Sequence, residues 1–161
     1  MRELAVETVN SLKDKHLSFA TAESCTGGMI SALITTVSGV SSVYYGGMVT
    51  YNNDIKHRLL GVSEETLRTY TAVSKETAEE MAKNICEKTG AMVGVSVTGN
   101  AGPLPSEGKP VGLVYVSVYS EKFQKTVEVE RSLLWKESRD KIREKATKKA
   151  LELLKEVADK Y

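Results

Sequence analysis

A few stretches of the chain combine nucleophiles, bases and small residues in ways that could do chemistry. The first is Glu23-Ser24-Cys25-Thr26-Gly27-Gly28. An apolar run precedes it and a helical repeat follows it, so it reads as a strand-to-helix turn. Such a turn exposes a side chain at the edge of an open α/β sheet, where ligands usually bind. Ser24 is a candidate nucleophile there, with backbone N–H groups of a helix start beside it to receive an anion or an oxyanion. The plainer reading makes Ser24 a helix N-cap. Cys25 is the rival nucleophile, because a helix N-terminus can lower a thiol pKa. Gly27 and Gly28 permit close backbone approach, which alone is a weak phosphate signal.

Either nucleophile needs a base. The histidines are His16, at the end of the first helical stretch, and His57, on a short polar segment; both are expected to face solvent. A lysine can serve instead if burial or a neighbouring cation lowers its pKa towards neutrality. Lys56 is the candidate, in Thr50-Tyr51-Asn52-Asn53-Asp54-Ile55-Lys56. Taken alone, such a lysine is more often a solvated helix residue, and Tyr51 more often a strand aromatic than a proton relay. A further stretch, Val97-Thr98-Gly99-Asn100-Ala101-Gly102-Pro103, ends an apolar strand in a small-residue loop, a layout shared by binding sites and ordinary turns. The Cys and His residues lack metal-ligand spacing, so no metal is expected.

The elements that must position these residues follow from periodicity. Residues 2–15 carry Ala5, Val9 and Leu12 on one helical face. Leu17 to Ala22 reads as a strand, followed by a helix with Ile30, Leu33, Ile34 and Val37 at helical spacing. Val43 to Tyr51 reads as a strand despite Gly46 and Gly47, and short helices are expected over 55–60 and 63–69. Ser74 opens a helix to about Lys88 with Ala78, Met81, Ala82 and Ile85 on its buried face. Ala91 to Thr98 is almost wholly apolar, as a strand covered on both faces should be. Val111 to Tyr119 and Lys125 to Arg131 read as a hairpin, and a final helix runs from Glu137 to Tyr161. Alternating helices and strands with a terminal hairpin predict one α/β domain over residues 1–161, with helices on both faces of a mixed sheet.

Composition narrows the function classes. The 161 residues are 41% apolar and 27% charged, ordinary globular values. The formal net charge is +1, so no global field draws the chain onto nucleic acid or an anionic membrane. The final helix mixes both signs of charge, as a solvated face does. There is no apolar run of membrane-spanning length and no signal-peptide core, and the two cysteines read as free thiols in a reducing compartment. A cytoplasmic protein is expected.

Together the motifs resemble the CinA C-terminal domain family. The residues that carry the resemblance are Thr21-Ala22-Glu23-Ser24-Cys25-Thr26-Gly27-Gly28, Gly47-Met48-Val49-Thr50-Tyr51-Asn52-Asn53, Lys56, Leu60-Gly61-Val62, Ala72-Val73-Ser74, Val97-Thr98-Gly99, Ala101-Gly102-Pro103 and Lys109-Pro110-Val111-Gly112. The resemblance implies a three-layer α/β/α sandwich, a tendency to form homo-oligomers, and nicotinamide-nucleotide amidase activity. That activity converts nicotinamide mononucleotide and water to nicotinate mononucleotide and ammonia, without metal or organic cofactor. The family's serine nucleophile falls on Ser24, its lysine base on Lys56 and the tyrosine of its Val-Thr-Tyr block on Tyr51. Substrate contacts are implied at Cys25, Thr26, Gly27, Gly28, Thr98, Gly99 and Ala101. Arg139, in Glu137-Ser138-Arg139, matches a later Gly-Asp-Arg block only loosely, and Arg143 is a second candidate contact. The chain departs from the family at Asn100, where an aliphatic is usual, and at Leu104-Pro105-Ser106, where a glycine pair is usual. A non-catalytic nucleotide-binding or partner-binding module that keeps the pocket is the alternative this loop leaves open. Longer members carry an N-terminal pyrophosphatase-type domain, for which 161 residues leave no room.

Overall fold

The computed structural model describes residues 1–131 and 137–161. Helix α1 (Arg2–Asp14) buries Ala5, Val9 and Leu12, the stripe expected from their spacing. It leads into β1 (Phe19–Glu23), buried along its whole length. After the Ser24 turn come α2 (Met29–Ile34), a 3₁₀ turn, and β2 (Tyr44–Val49). Helix α3 (Asn53–Arg58) starts where the Asn52 side chain accepts a bond from Asp54 N. Helices α4 (Glu64–Tyr70) and α5 (Lys75–Thr89) are capped in the same way by Ser63 and Ser74. Gly90 closes α5 in the left-handed conformation (φ +74°), where an L side chain is strained. Strands β3 (Val93–Gly99), β4 (Val114–Ser120) and β5 (Phe123–Glu128) follow, then α6 (Arg139–Ala158) with Ser138 as its cap.

The sheet is mixed, in the order β2-β1-β3-β4-β5. β1 lies parallel to both β2 and β3, while β3-β4 and β4-β5 pair antiparallel. The expected hairpin is therefore β4-β5, although β4 begins at Val114 rather than Val111. Residues alternate between two cores. Phe19, Val93, Val95 and Val97 pack with α1, α2 and α6. Ala20 and Ala22 pack with Met81 and Ile85 of α5. Helices thus cover both faces, which gives the expected three α/β/α layers, and each fully buried Val, Leu or Ile contributes about 1.5–3 kcal/mol.

Two glycines in strands are explained by close approach. A Cβ on Gly47 would collide with Thr21 Oγ1, and one on Gly94 with the Ala82 carbonyl of α5. Both strands therefore keep a residue of low β-propensity. Among the described residues, no helix is long and apolar enough to cross a membrane.

Candidate active site

The register of the three parallel strands sets the site. Glu23 lies opposite Val49 of β2 and Val97 of β3, so β1 and β2 end together while β3 runs on two residues to Gly99. Ser24 N donates to Val97 O and Thr50 N donates to Glu23 O, which extends the ladder by one step on each side. Ser24 therefore emerges between the ends of two neighbouring strands, at the carboxyl edge of the sheet.

Helix α3 delivers the lysine. Lys56 Nζ donates to Ser24 Oγ at 3.0 Å, and also to the carbonyls of Thr50 at 2.9 Å and Tyr51 at 3.3 Å. The side chain reaches inward and Lys56 is only 1% exposed, so the solvated-helix reading does not apply. Burial pulls its pKa down from the ordinary 10.5 to about 8, opposed by Cys25 and Glu107. Cys25 opposes the fall only once its own thiol ionises. The lowering comes from desolvation, not from a neighbouring cation; Arg139, on the same cavity wall, contacts Gly102 O and Tyr51 Oη. A lysine near 8 is about a tenth neutral at pH 7, far more than an ordinary lysine, and in that form can accept a proton from the serine it touches.

The rival nucleophile is disfavoured. Cys25 is buried, and desolvation pushes its thiol up to about 11, against its own backbone N–H and the cations Lys56, Arg139 and Arg143. At neutral pH it is a protonated thiol, not a thiolate. Neither histidine lies on the cavity wall. The His57 ring hydrogen-bonds Val62 O at 2.8 Å, and His16 is exposed.

A cavity of about 390 Å³ opens over the pair. Ser24, Cys25, Tyr51 and Lys56 line one side, and Thr98, Gly99, Asn100 and Ala101 another. Ser106, Glu107 and Arg139 contribute to its wall as well. Thr98 acts through its backbone edge, since its hydroxyl is engaged with Ala72 O at 2.6 Å. Gly99 has no room for a Cβ, which would fall 2.6 Å from a Val114 methyl.

Several expected substrate contacts are placed elsewhere. Thr26, Gly27, Gly28 and Arg143 do not line the cavity. Arg143 donates to the carbonyls of Cys25 and Thr26, each at 3.1 Å, so it clamps the turn from α6. The expected anion site at the helix start is filled from within. The Glu23 side chain accepts from Gly28 N, Ile30 N, Ser31 N and Ser31 Oγ at 2.7–3.1 Å. Gly27 N is likewise taken by Ser24 O. Tyr51 is 57% exposed and its hydroxyl accepts from Arg139 at 2.6 Å, while its carbonyl holds Lys56.

Three residues carry roles that sequence reading did not assign. Glu23 organises the turn; its signal was a charged residue closing an otherwise apolar strand. Asn100 braces the facing loop, with Nδ2 donating to Leu104 O and Lys109 O and Oδ1 accepting from Gly102 N. Glu107 reaches back to Asn53 Nδ2 and Ala72 N at 2.7 and 3.0 Å, and no local pattern marks it. Among the described residues, no group of three His, Cys, Asp or Glu side chains could hold a metal ion.

The comparisons with known proteins agree with this architecture. A profile of the CinA C-terminal domain matches residues 1–158. A CinA-like protein of Chloroherpeton thalassium is 43% identical over 147 residues, 91% of this chain and 35% of that protein. A CinA-like protein of Thermotoga maritima is 45% identical over 115 residues, 71% of this chain and 28% of that protein. The chain spans about a third of the length of these curated relatives. Among solved structures, a CinA superfamily protein from Klebsiella pneumoniae superposes with a TM-score of 0.91 at 27% identity, covering 99% of this chain and 98% of that one. The competence/damage inducible protein CihA from Agrobacterium tumefaciens gives 0.88 at 39% identity, covering 95% and 92%. With the profile matching almost end to end and relatives above 40% identity, the chain that carries this buried serine–lysine pair belongs to the CinA C-terminal domain family.

Proposed function

We propose that the protein hydrolyses the carboxamide of nicotinamide mononucleotide, giving nicotinate mononucleotide and ammonia through an acyl-enzyme. The observation that carries this reading is the 3.0 Å contact between Ser24 Oγ and a fully buried Lys56 whose pKa falls to about 8. Neutral Lys56 takes the Ser24 proton as Oγ attacks the carboxamide carbon. The developing oxyanion is met by the Cys25 N–H, because the N–H groups of Gly27 and Gly28 already have acceptors. One such donor is typically worth roughly 3 kcal/mol in the transition state. The Lys56 ammonium then protonates the departing amine, the C–N bond breaks and ammonia leaves. Lys56, neutral again, activates the water that cleaves the acyl-serine ester. Arg139, at the start of α6 and on the cavity wall, is the contact for the phosphate. No step calls for a metal or an organic cofactor.

The test is ammonia release from nicotinamide mononucleotide, with nicotinamide and its riboside as comparison substrates and the Ser24→Ala variant as control. The expected result is release from the mononucleotide by the wild-type protein alone. A wild-type rate no higher than that of Ser24→Ala would overturn the reading and favour a nucleotide-binding module. Release from a carboxamide other than the mononucleotide would keep the mechanism and change the substrate.

A further inference from the structure

The cavity contains a charge that the mechanism above does not use. Glu107 lies on its wall, in the loop that faces Ser24. Both of its carboxyl oxygens are held by uncharged donors, Oε1 by the Asn53 side chain and Oε2 by the Ala72 N–H. Among the described residues no lysine, arginine or histidine pairs with it. Its neighbours on the wall include Lys56, whose ammonium it stabilises, so its negative charge is felt at the reacting end of the site. That is a cost for catalysis, since it opposes the neutral form a general base needs. It is also a cost for any anionic group placed nearby. Both costs are offset if the bound ligand brings a positive charge to this end. Arg139 supplies positive charge on the same wall, but it is engaged with Tyr51 Oη and Gly102 O and does not pair with Glu107.

We propose that Glu107 is a specificity-determining residue that selects carboxamides attached to a cationic ring. This rests on the amidase reading, in which the carboxamide must sit against Ser24 Oγ. The ring bearing it then lies next to the carboxamide, in the cavity whose wall Glu107 shares with Ser24 and Lys56. A pyridinium there compensates Glu107. It also repels the Lys56 ammonium, so a cationic substrate assists the deprotonation of its own base. A reduced, neutral dihydropyridine ring of the same shape does neither.

The experiment compares nicotinamide mononucleotide with its reduced, uncharged-ring form. Binding of each is measured by titration calorimetry in a Ser24→Ala background, where nothing is turned over. The oxidised form is expected to bind about threefold to fivefold tighter, the scale of one exposed charge pair. Adding Glu107→Gln should remove that preference by weakening the oxidised form alone. A loop latch with no charge selectivity would weaken both forms equally, and that result overturns the proposal, as does an unchanged ratio. Asn53→Ala is the second variant, since it loosens the latch and keeps the charge. It should shift both affinities together and preserve their ratio; loss of the ratio there also overturns the proposal. Failure of wild-type protein to release ammonia sinks the amidase reading, and the calorimetric ratio still decides the role of Glu107.

Discussion

The turn at residues 23–28 is tied to β3, α2 and α6; across the cavity, residues 100–109 begin buried and hydrogen-bonded to the residues just before β4 but run exposed from Pro103 to Gly108. The Ser24 turn is fixed from three directions. Glu23 gathers four donors from the start of α2, Val97 of β3 takes the Ser24 N–H, and Arg143 of α6 holds two carbonyls. The facing loop is braced by the Asn100 amide and by Glu107, and Leu104 at its tip is 74% exposed. Ser24 is therefore held to one position, while the exposed part of the facing loop can shift at little cost. On the proposed reading, such a division fixes the chemistry and leaves selectivity to the loop.

The largest effects should come from the rigid side. Ser24→Ala is expected to lower kcat by at least about a thousandfold, as loss of a nucleophile does. Its fold should remain, because Lys56 is the only side chain that hydrogen-bonds Ser24 Oγ among the described residues. Cys25→Ala should keep most of the activity. A dead Cys25→Ala beside an active Ser24→Ala would make the thiol the nucleophile.

Lys56 comes next. Arginine keeps the charge and cannot give up its proton, so Lys56→Arg should be nearly as damaging as Lys56→Ala. In the wild type the base is protonated below a pKa of about 8, so the rate should climb with pH and level off above that point. Stability is linked to the same proton. Between about 8 and 10.5 the unfolded chain holds a proton on Lys56 that the folded chain has released, so stability contributed by this group rises with pH through that window. Relative to Lys56→Met, the wild type should gain roughly 2–3 kcal/mol across it, as measured by chemical denaturation at fixed pH values.

Much of this site was legible in the sequence, and what was not depends on packing. The small-residue turn after an apolar strand marked Ser24, and the expected stripe Ala5-Val9-Leu12 is buried as its period requires. Lys56 read alone as a solvated helix lysine, because helix α3 is short and polar. Only the joint ending of β1 and β2 under that helix puts its side chain out of water. Arg139 and Arg143, four residues apart, share a face of α6, but spacing does not say what that face meets. One meets the cavity and the other the carbonyls of the Ser24 turn. Asn100 looked like a departure from the family pattern; in the fold its amide ties Gly102, Leu104 and Lys109 of its own loop together.

The contrast between the two walls can be measured in stability. Glu23→Ala leaves three buried or half-buried N–H groups and the Ser31 hydroxyl without their acceptor, at a cost of roughly 3–5 kcal/mol and a fall of about 10 °C in Tm. Asn100→Ala should cost only about 1–2 kcal/mol. Hydrogen exchange should then accelerate across 100–109 and not across the Ser24 turn. Equal losses from the two substitutions would erase the distinction drawn between the walls.

The smallest effect should come from Tyr51→Phe, which lies where the two walls meet. The ring is more than half exposed, and its carbonyl, not its hydroxyl, holds Lys56. The hydroxyl accepts from Arg139, whose other bond runs to Gly102 O in the facing loop. Removing it leaves the serine–lysine contact intact and frees one arm of the guanidinium that is proposed to meet the phosphate. The expected outcome is a KM for nicotinamide mononucleotide raised a few fold, about 1 kcal/mol for one exposed charge-assisted bond, with kcat close to normal. A hydroxyl that relays the proton during attack would give the reverse pattern, a kcat lowered by roughly a hundredfold at unchanged KM. The split between the two constants therefore decides whether Tyr51 belongs with the fixed catalytic side or with the adaptable substrate side.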